Sequence, residues 1–183
     1  MIHVRSSFGD AEGTLVKKEA KTVEGIVVAG TALMKDEAKI TVKGVPDQPG
    51  IAAALFGRIA SGGISVDVIV QNVSEHGMTD VSFTVPSTDL AEALVLTEEA
   101  ARKTGAGKVT STEHIAKISI VGVGMRSQPG VAAKFFRTLA DADVNINMIT
   151  TSEIKVSCVI DASQAEKALR VVHDAFDLDA AVE

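Results

Sequence analysis

The chain has 183 residues, 46% of them apolar, with 24 acidic against 18 basic side chains and a formal net charge of −6. That length allows one or two domains of ordinary globular composition. No run approaches the roughly 18 apolar residues of a membrane span or forms a secretory apolar core, and an acidic balance without Trp or Tyr does not suit nucleic acid, so a cytoplasmic protein with neither partner is expected.

Residues 1–22 lack strong periodicity and are expected to be loosely ordered. VEGIVVAG, residues 23–30, is an apolar run of strand length. Ile40 and Val42 mark a short alternating strand, and Pro46, Asp47, Pro49 and Gly50 a turn. Ile51, Leu55 and Ile59, with Ala52 and Phe56, then mark one face of a helix that Gly62 and Gly63 end. Residues 64–71 and 79–85 alternate with period two on either side of NVSEHG, which predicts a hairpin. Beyond Pro86, Thr88 or Asp89 can cap a helix carrying Leu90, Ala93 and Leu94, and residues 105–107 lead to a strand near 108–114. The order βαββαβ predicts an antiparallel four-stranded sheet with both helices on one face, a ferredoxin-like α+β module.

The module is then repeated. KITVKGVPDQPGIAAALF (39–56) is matched by KISIVGVGMRSQPGVAAKFF (117–136), with Gly50 and Gly130 standing 80 residues apart, too long a period for a solenoid and long enough for a small domain. A strand over 117–122, a helix over 131–141, strands near 144–150 and 154–160, and a helix opened by Ser163 with Glu166 as a capping box follow in order. Cys158, the one cysteine, excludes an internal disulfide, and its strand-like neighbours predict a buried residue. After Phe176 only DLDAAVE remains, so this copy lacks a fourth strand downstream. The run over 23–30 is expected to supply it, which would place the first module (38–114) as an insertion within the second (23–31 plus 116–178).

No catalytic constellation is legible. GVGMRSQPG has Ser127 where a dinucleotide fingerprint needs its third glycine, there is no phosphate loop, the four histidines share no metal-ligand spacing, and the carboxylates are scattered. No catalytic residue, metal or cofactor is expected. The repeated turn has a chemistry of its own, because a Pro-Gly turn running into a helix leaves the first backbone N–H groups unpaired at the positive end of the helix dipole. Gly50, Ala52 and Ala53 leave room there for a carboxylate. Gln71, Asn72, Asn145 and Asn147 at strand ends could meet an ammonium or hydroxyl group. A tight turn with amides satisfying loop backbone accounts for the same residues.

The doubled GVPDQPGIAA and SQPGVAA turns, each on a βαββαβ-like unit, resemble the ACT domain family of amino-acid-sensing modules. Over residues 23–176 the chain resembles the regulatory region of bacterial aspartate kinase, and HVRSSFGDAEGTLV resembles the segment where that family's catalytic domain gives way to its regulatory tail. A chain opening MIHVRSSF is similar to the family's small β subunit and equally to the C-terminal part of its single-chain form. The resemblance implies no kinase activity alone, a homodimer through the ACT modules, and an α2β2 complex with a catalytic α subunit. It implies end-product feedback inhibition of aspartate phosphorylation through threonine, with lysine as a second effector. It assigns threonine to Asp47, Gly50, Ile51, Ala52 and Gln71 of one chain with Asn145 and Ile146 of its partner, and lysine to Met125, Ser127, Gly130, Ser152 and Glu153. Ser127 in place of Asp47 removes a carboxylate beside the second turn, so the two sites are not expected to be equivalent. A free-standing ACT module without a kinase partner is the alternative.

Overall fold

The computed structural model of the chain describes residues 2–4, 14–16, 27–72, 76–126 and 128–179. β1 (Ile2–Val4) and β2 (Thr14–Val16) pair antiparallel as a small separate sheet, regular structure that the aperiodic opening does not announce. The remainder of residues 1–22 lies outside the described residues.

The main sheet is built from β3 (Gly30–Pro46), β4 (Ile69–Gln71), β5 (Met78–Pro86), β6 (Val109–Val121), β7 (Met148–Thr151) and β8 (Lys155–Asp161), all pairings antiparallel, in the order β4-β5-β3-β6-β8-β7. Two expected four-stranded sheets are thus one sheet of six strands, because the two long central strands serve both modules. The first part of β3 pairs residues 30–34 with residues 117–121 of β6, and its later part pairs residues 39–42 with 109–112. Each half of the sheet has the four-strand order of a ferredoxin-like unit. In sequence, the first module lies between the paired segments 30–34 and 117–121.

The strand expected over 23–30 is displaced along the chain. Residues 23–26 lie outside the described residues, 27–29 run as bend and coil, and the strand starts at Gly30. Ala29 still donates its N–H to Val121 O at 2.7 Å. Apolar character at 27–29 therefore reports a packed approach to the sheet, with Val28 buried in the second core. The expected strands at 108–114 and 117–122 likewise fuse into β6, and the strand expected from residue 64 keeps ladder geometry only at Ile69–Gln71.

A bend divides the sheet. The register of β3 against β6 shifts on both sides of Glu37, and Asp36 (φ 65°) and His114 (φ 57°), 78 residues apart, take left-handed backbone at the shifts. Asp and His are among the residues that tolerate this region best, and bulges sharpen strand bending.

Four helices cover the two halves: α1 (Ile51–Ser61), α2 (Leu90–Thr104), α3 (Val131–Asp141) and α4 (Ala165–Ala175). Ile40, Val42, Val81 and Phe83 pack with Leu55 and Ile59 in one core, and Ile118, Ile120, Cys158 and Ile160 with Phe135 and Leu139 in the other. Phe56 meets Phe83 edge-on at 5.3 Å between ring centres, joining α1 to β5. The helix starts differ from the sequence reading. Short 3-10 turns precede α2 and α4, neither Thr88 nor Asp89 caps α2 through its side chain, and the cap before α4 is Asp161 rather than Ser163, its Oδ1 accepting from Ser163 N–H at 2.8 Å. Glu166 pairs with Lys35 instead of closing a capping box. The sheet face away from the helices is buried too. Thr84, Lys117, Ser119 and Ser157 are all under 4% exposed, and the Ser119 and Ser157 hydroxyls hydrogen-bond at 2.7 Å. The bent halves close on each other across this face.

Candidate functional site

The two repeated turns open α1 and α3 with nearly the same backbone. Gly50 (φ 93°, ψ −16°) and Gly130 (φ 95°, ψ −12°) are the N-caps, and neither helix has a side-chain cap. Gly50 O accepts from Ala54 N at 2.9 Å and Gly130 O from Lys134 N at 2.8 Å, so the three amides before each donor have no intrahelical acceptor. Gln48 O takes the Ile51 amide at 3.3 Å. Ala52 and Ala53 are exposed at the first mouth, where small side chains leave the backbone accessible. Each mouth is a partially positive, donor-rich surface suited to an anionic group.

At the second turn the mouth forms one wall of a cavity of about 290 Å³. Met125, Gln128, Gly130 and the start of α3 lie on one side, and Thr151, Ser152 and Glu153 on the other. The hairpin that presents Ser152 is closed by its N–H to Lys155 O at 2.7 Å and tied to the end of β6 by Gly122 N to Ile154 O at 2.9 Å. Of the five residues expected at a second site, Met125, Gly130, Ser152 and Glu153 therefore share one cavity, while Ser127 lies outside the described residues. Donors at the mouth and a carboxylate at Glu153 give the cavity opposite charge preferences on opposing sides, which complements a zwitterion. Gln128 and Thr151 also line it, beyond the residues the sequence points to. Thr151 was within reach, because it stands 80 residues after Gln71 in the repeat.

Around the first turn, Asp47 donates its N–H to Gly77 O at 2.8 Å, which ties the turn to the β4–β5 hairpin. Asp47, Gly50, Ala52 and Gln71 are exposed and Ile51 is half-buried. Gln71 ends β4, and the neighbouring Asn72 O accepts the Thr79 hydroxyl. Asn145 and Ile146 stand in the other half, between α3 and β7, with Ile146 packed on the second core.

Among the described residues, His173, Asp174 and Asp179 bring three ligand-type atoms within 4.8 Å of one another near the end of α4, a grouping that histidine spacing did not suggest. The Asp179 side chain is 89% exposed, so the group is a surface cluster without a buried donor. No helix among the described residues is long and apolar enough to cross a membrane.

Comparison with known proteins decides the family. The ACT domain family matches twice, over residues 40–100 and 118–176, one match on each half of the sheet. The chain belongs to the ACT domain family. Within it, this ACT protein is similar to aspartate kinases. It is 47% identical over 180 residues to the aspartate kinase of Pseudomonas putida and 46% identical over 183 residues to the aspartokinase of Thermus thermophilus, covering 98% and 99% of this chain. It spans only 44% and 45% of those relatives' lengths. Among solved structures, the regulatory subunit of Thermus thermophilus aspartate kinase in its ligand-free form superposes with a TM-score of 0.77 at 45% identity, and a chain from a structure of aspartokinase alpha and beta subunits with 0.76 at 49%. Each comparison covers 82% of this chain and 99% of the other. The tandem ACT modules thus resemble those of an aspartokinase regulatory subunit in fold and sequence.

Proposed function

We propose that the chain is the cytoplasmic regulatory subunit, or regulatory part, of an aspartate kinase, and that it binds threonine at the first turn and lysine at the second. It works as a homodimer, with Asn145 and Ile146 of one chain completing the threonine site around Asp47, Gly50, Ile51, Ala52 and Gln71 of its partner. Two such chains assemble with two catalytic α subunits, which carry the ATP-dependent phosphorylation of the aspartate carboxyl group. The observation that carries the reading is the cavity of about 290 Å³ in which the Gly130 helix mouth faces Ser152 and Glu153. An α-amino acid presents a carboxylate to such a mouth and an ammonium to such a carboxylate. The superposition on a ligand-free aspartate kinase regulatory subunit supports the same reading.

Inhibition follows from linkage. An effector shifts the kinase only by as much as it prefers the inactive arrangement over the active one. A site completed by two chains gives it that preference, since bound ligand stabilises the interface. Titration calorimetry with the purified chain tests the assignment at the first turn. Gln71→Ala is expected to weaken threonine about tenfold, the loss of one net hydrogen bond to a charged or polar group, with the fold retained. Unchanged affinity removes Gln71 from the site.

A further inference from the structure

Two carboxylates from the first half of the chain converge on one buried ammonium from the second. Lys117 on β6 has a side chain only 2% exposed, and its Nζ donates to Glu37 Oε1 at 2.9 Å and pairs with Asp67. Glu37 stands at the bend of β3, and Asp67 lies just before β4, held to β5 by its N–H to Thr84 O at 3.1 Å. The second oxygen of Glu37, Oε2, is buried without a hydrogen-bond partner among the described residues. An unpaired carboxylate oxygen is costly in such a place, and it offers Lys117 an alternative acceptor.

The repeat breaks its symmetry here. The strand position equivalent to Lys117 holds Lys39, the one equivalent to Glu37 holds Ile115, and the one equivalent to Asp67 holds Asn147. Only one of the two related positions carries the ionic cluster. Asp67 also has an outer side. Its side chain is 49% exposed and lines a cavity of about 200 Å³ with Thr150, Thr151, Ser152 and Lys155. Thr151 and Ser152 form the wall shared with the second-turn cavity. One carboxylate therefore links the buried contact between the two sheet halves to the wall of the candidate lysine site.

Resting on the proposed sensing role, we propose that Asp67 is a positioning residue that couples the two effector sites through exchange of its ionic partner. In the state described, Asp67 holds Lys117 and so fixes the first module against the second. Occupancy of the second-turn cavity shifts the Thr151 and Ser152 wall and brings Lys155 to Asp67. Lys117 then takes both oxygens of Glu37, filling the vacant seat at Oε2. The exchange alters the packing of β4, which ends at Gln71 in the first site. Two discrete ionic arrangements of the same groups make the bistable element that coupling between sites requires.

The test is calorimetric titration of the whole chain with threonine and with lysine, each alone and with the other saturating. The wild-type chain is expected to show threonine affinity changed by about fivefold or more when lysine is saturating. In Asp67→Asn, each amino acid alone should bind within about threefold of wild type while the coupling factor falls to about one, and Asp67→Glu should restore it. A packing defect alone would weaken both ligands and would not be rescued. Wild-type coupling in Asp67→Asn, or independent binding of both ligands in the wild-type chain, overturns the proposal. Failure of the wild-type chain to bind either amino acid overturns the sensing role and this inference with it.

Discussion

Gly50 and Gly130, with φ of 93° and 95°, sit where a side chain would be strained even though the space beside each is open. The strain is conformational, so Gly50→Ala is expected to cost about 1–2 kcal/mol in chemical denaturation and to weaken threonine binding by disturbing the helix mouth. A stability unchanged by that substitution would show that the turn can relax. Both glycines and their Pro-Gly context were plain in the sequence, because a left-handed cap leaves a residue-type signature. Gln128 leaves none, since which residues line a cavity is set by how the β7–β8 hairpin is tied back to Gly122, and Thr151 is reached only through the repeat. Cys158 shows the same contrast in another form. Its strand context predicted burial, and the desolvation that follows pushes its thiol from 9.0 up to about 12. Between those values the unfolded chain has released the proton and the native chain has kept it, so stability falls as pH rises above about 9. Cys158→Ser is expected to flatten that alkaline limb of a pH–stability profile, and an unaltered limb would show that the thiol contributes nothing to it.

At the scale of elements, periodicity located every helix of the modules within a residue or two, since α1 and α3 each bury one apolar stripe. It could not show that four strand segments are two long strands. A bulge keeps the hydrogen bonding continuous while Asp36 and His114 interrupt the pattern, and the interruption reads as a loop. Nor could it place the starting point of β3, because a packed coil over residues 27–29 is as apolar as a strand. Gly122 shows how tight that approach is. A Cβ there would lie 2.2 Å from Val27 O, a backbone atom that cannot step aside. Gly122→Ala is expected to destabilise by about 1–3 kcal/mol through overpacking, measured by urea denaturation. A neutral result would mean that residues 27–29 do not hold this contact in solution.

For the whole molecule, the buried contact between the sheet halves is the feature with the least trace in sequence. Lys117 stands between Ala116 and Ile118 in an alternating strand, where a charged residue ordinarily faces water, and only the closing of the halves buries it. Removing one partner of such a pair costs about 3–5 kcal/mol, so Lys117→Met should unfold at markedly lower urea. Adding Glu37→Gln should recover part of that loss, because it removes the buried charge left behind. A Lys117→Met chain as stable as wild type would contradict the buried pairing.

The paired modules, the two glycine-capped mouths and the second-turn cavity converge on one claim, that this chain changes stability when it meets an amino acid. A thermal-shift panel of the protein amino acids puts that claim to its plainest test. A ligand at 100 times its dissociation constant contributes about 2.7 kcal/mol, which for a chain of this size raises the melting temperature by about 5–10 °C. Threonine and lysine are expected to produce such shifts and most other amino acids none, whereas a melting temperature unmoved by either would contradict the account.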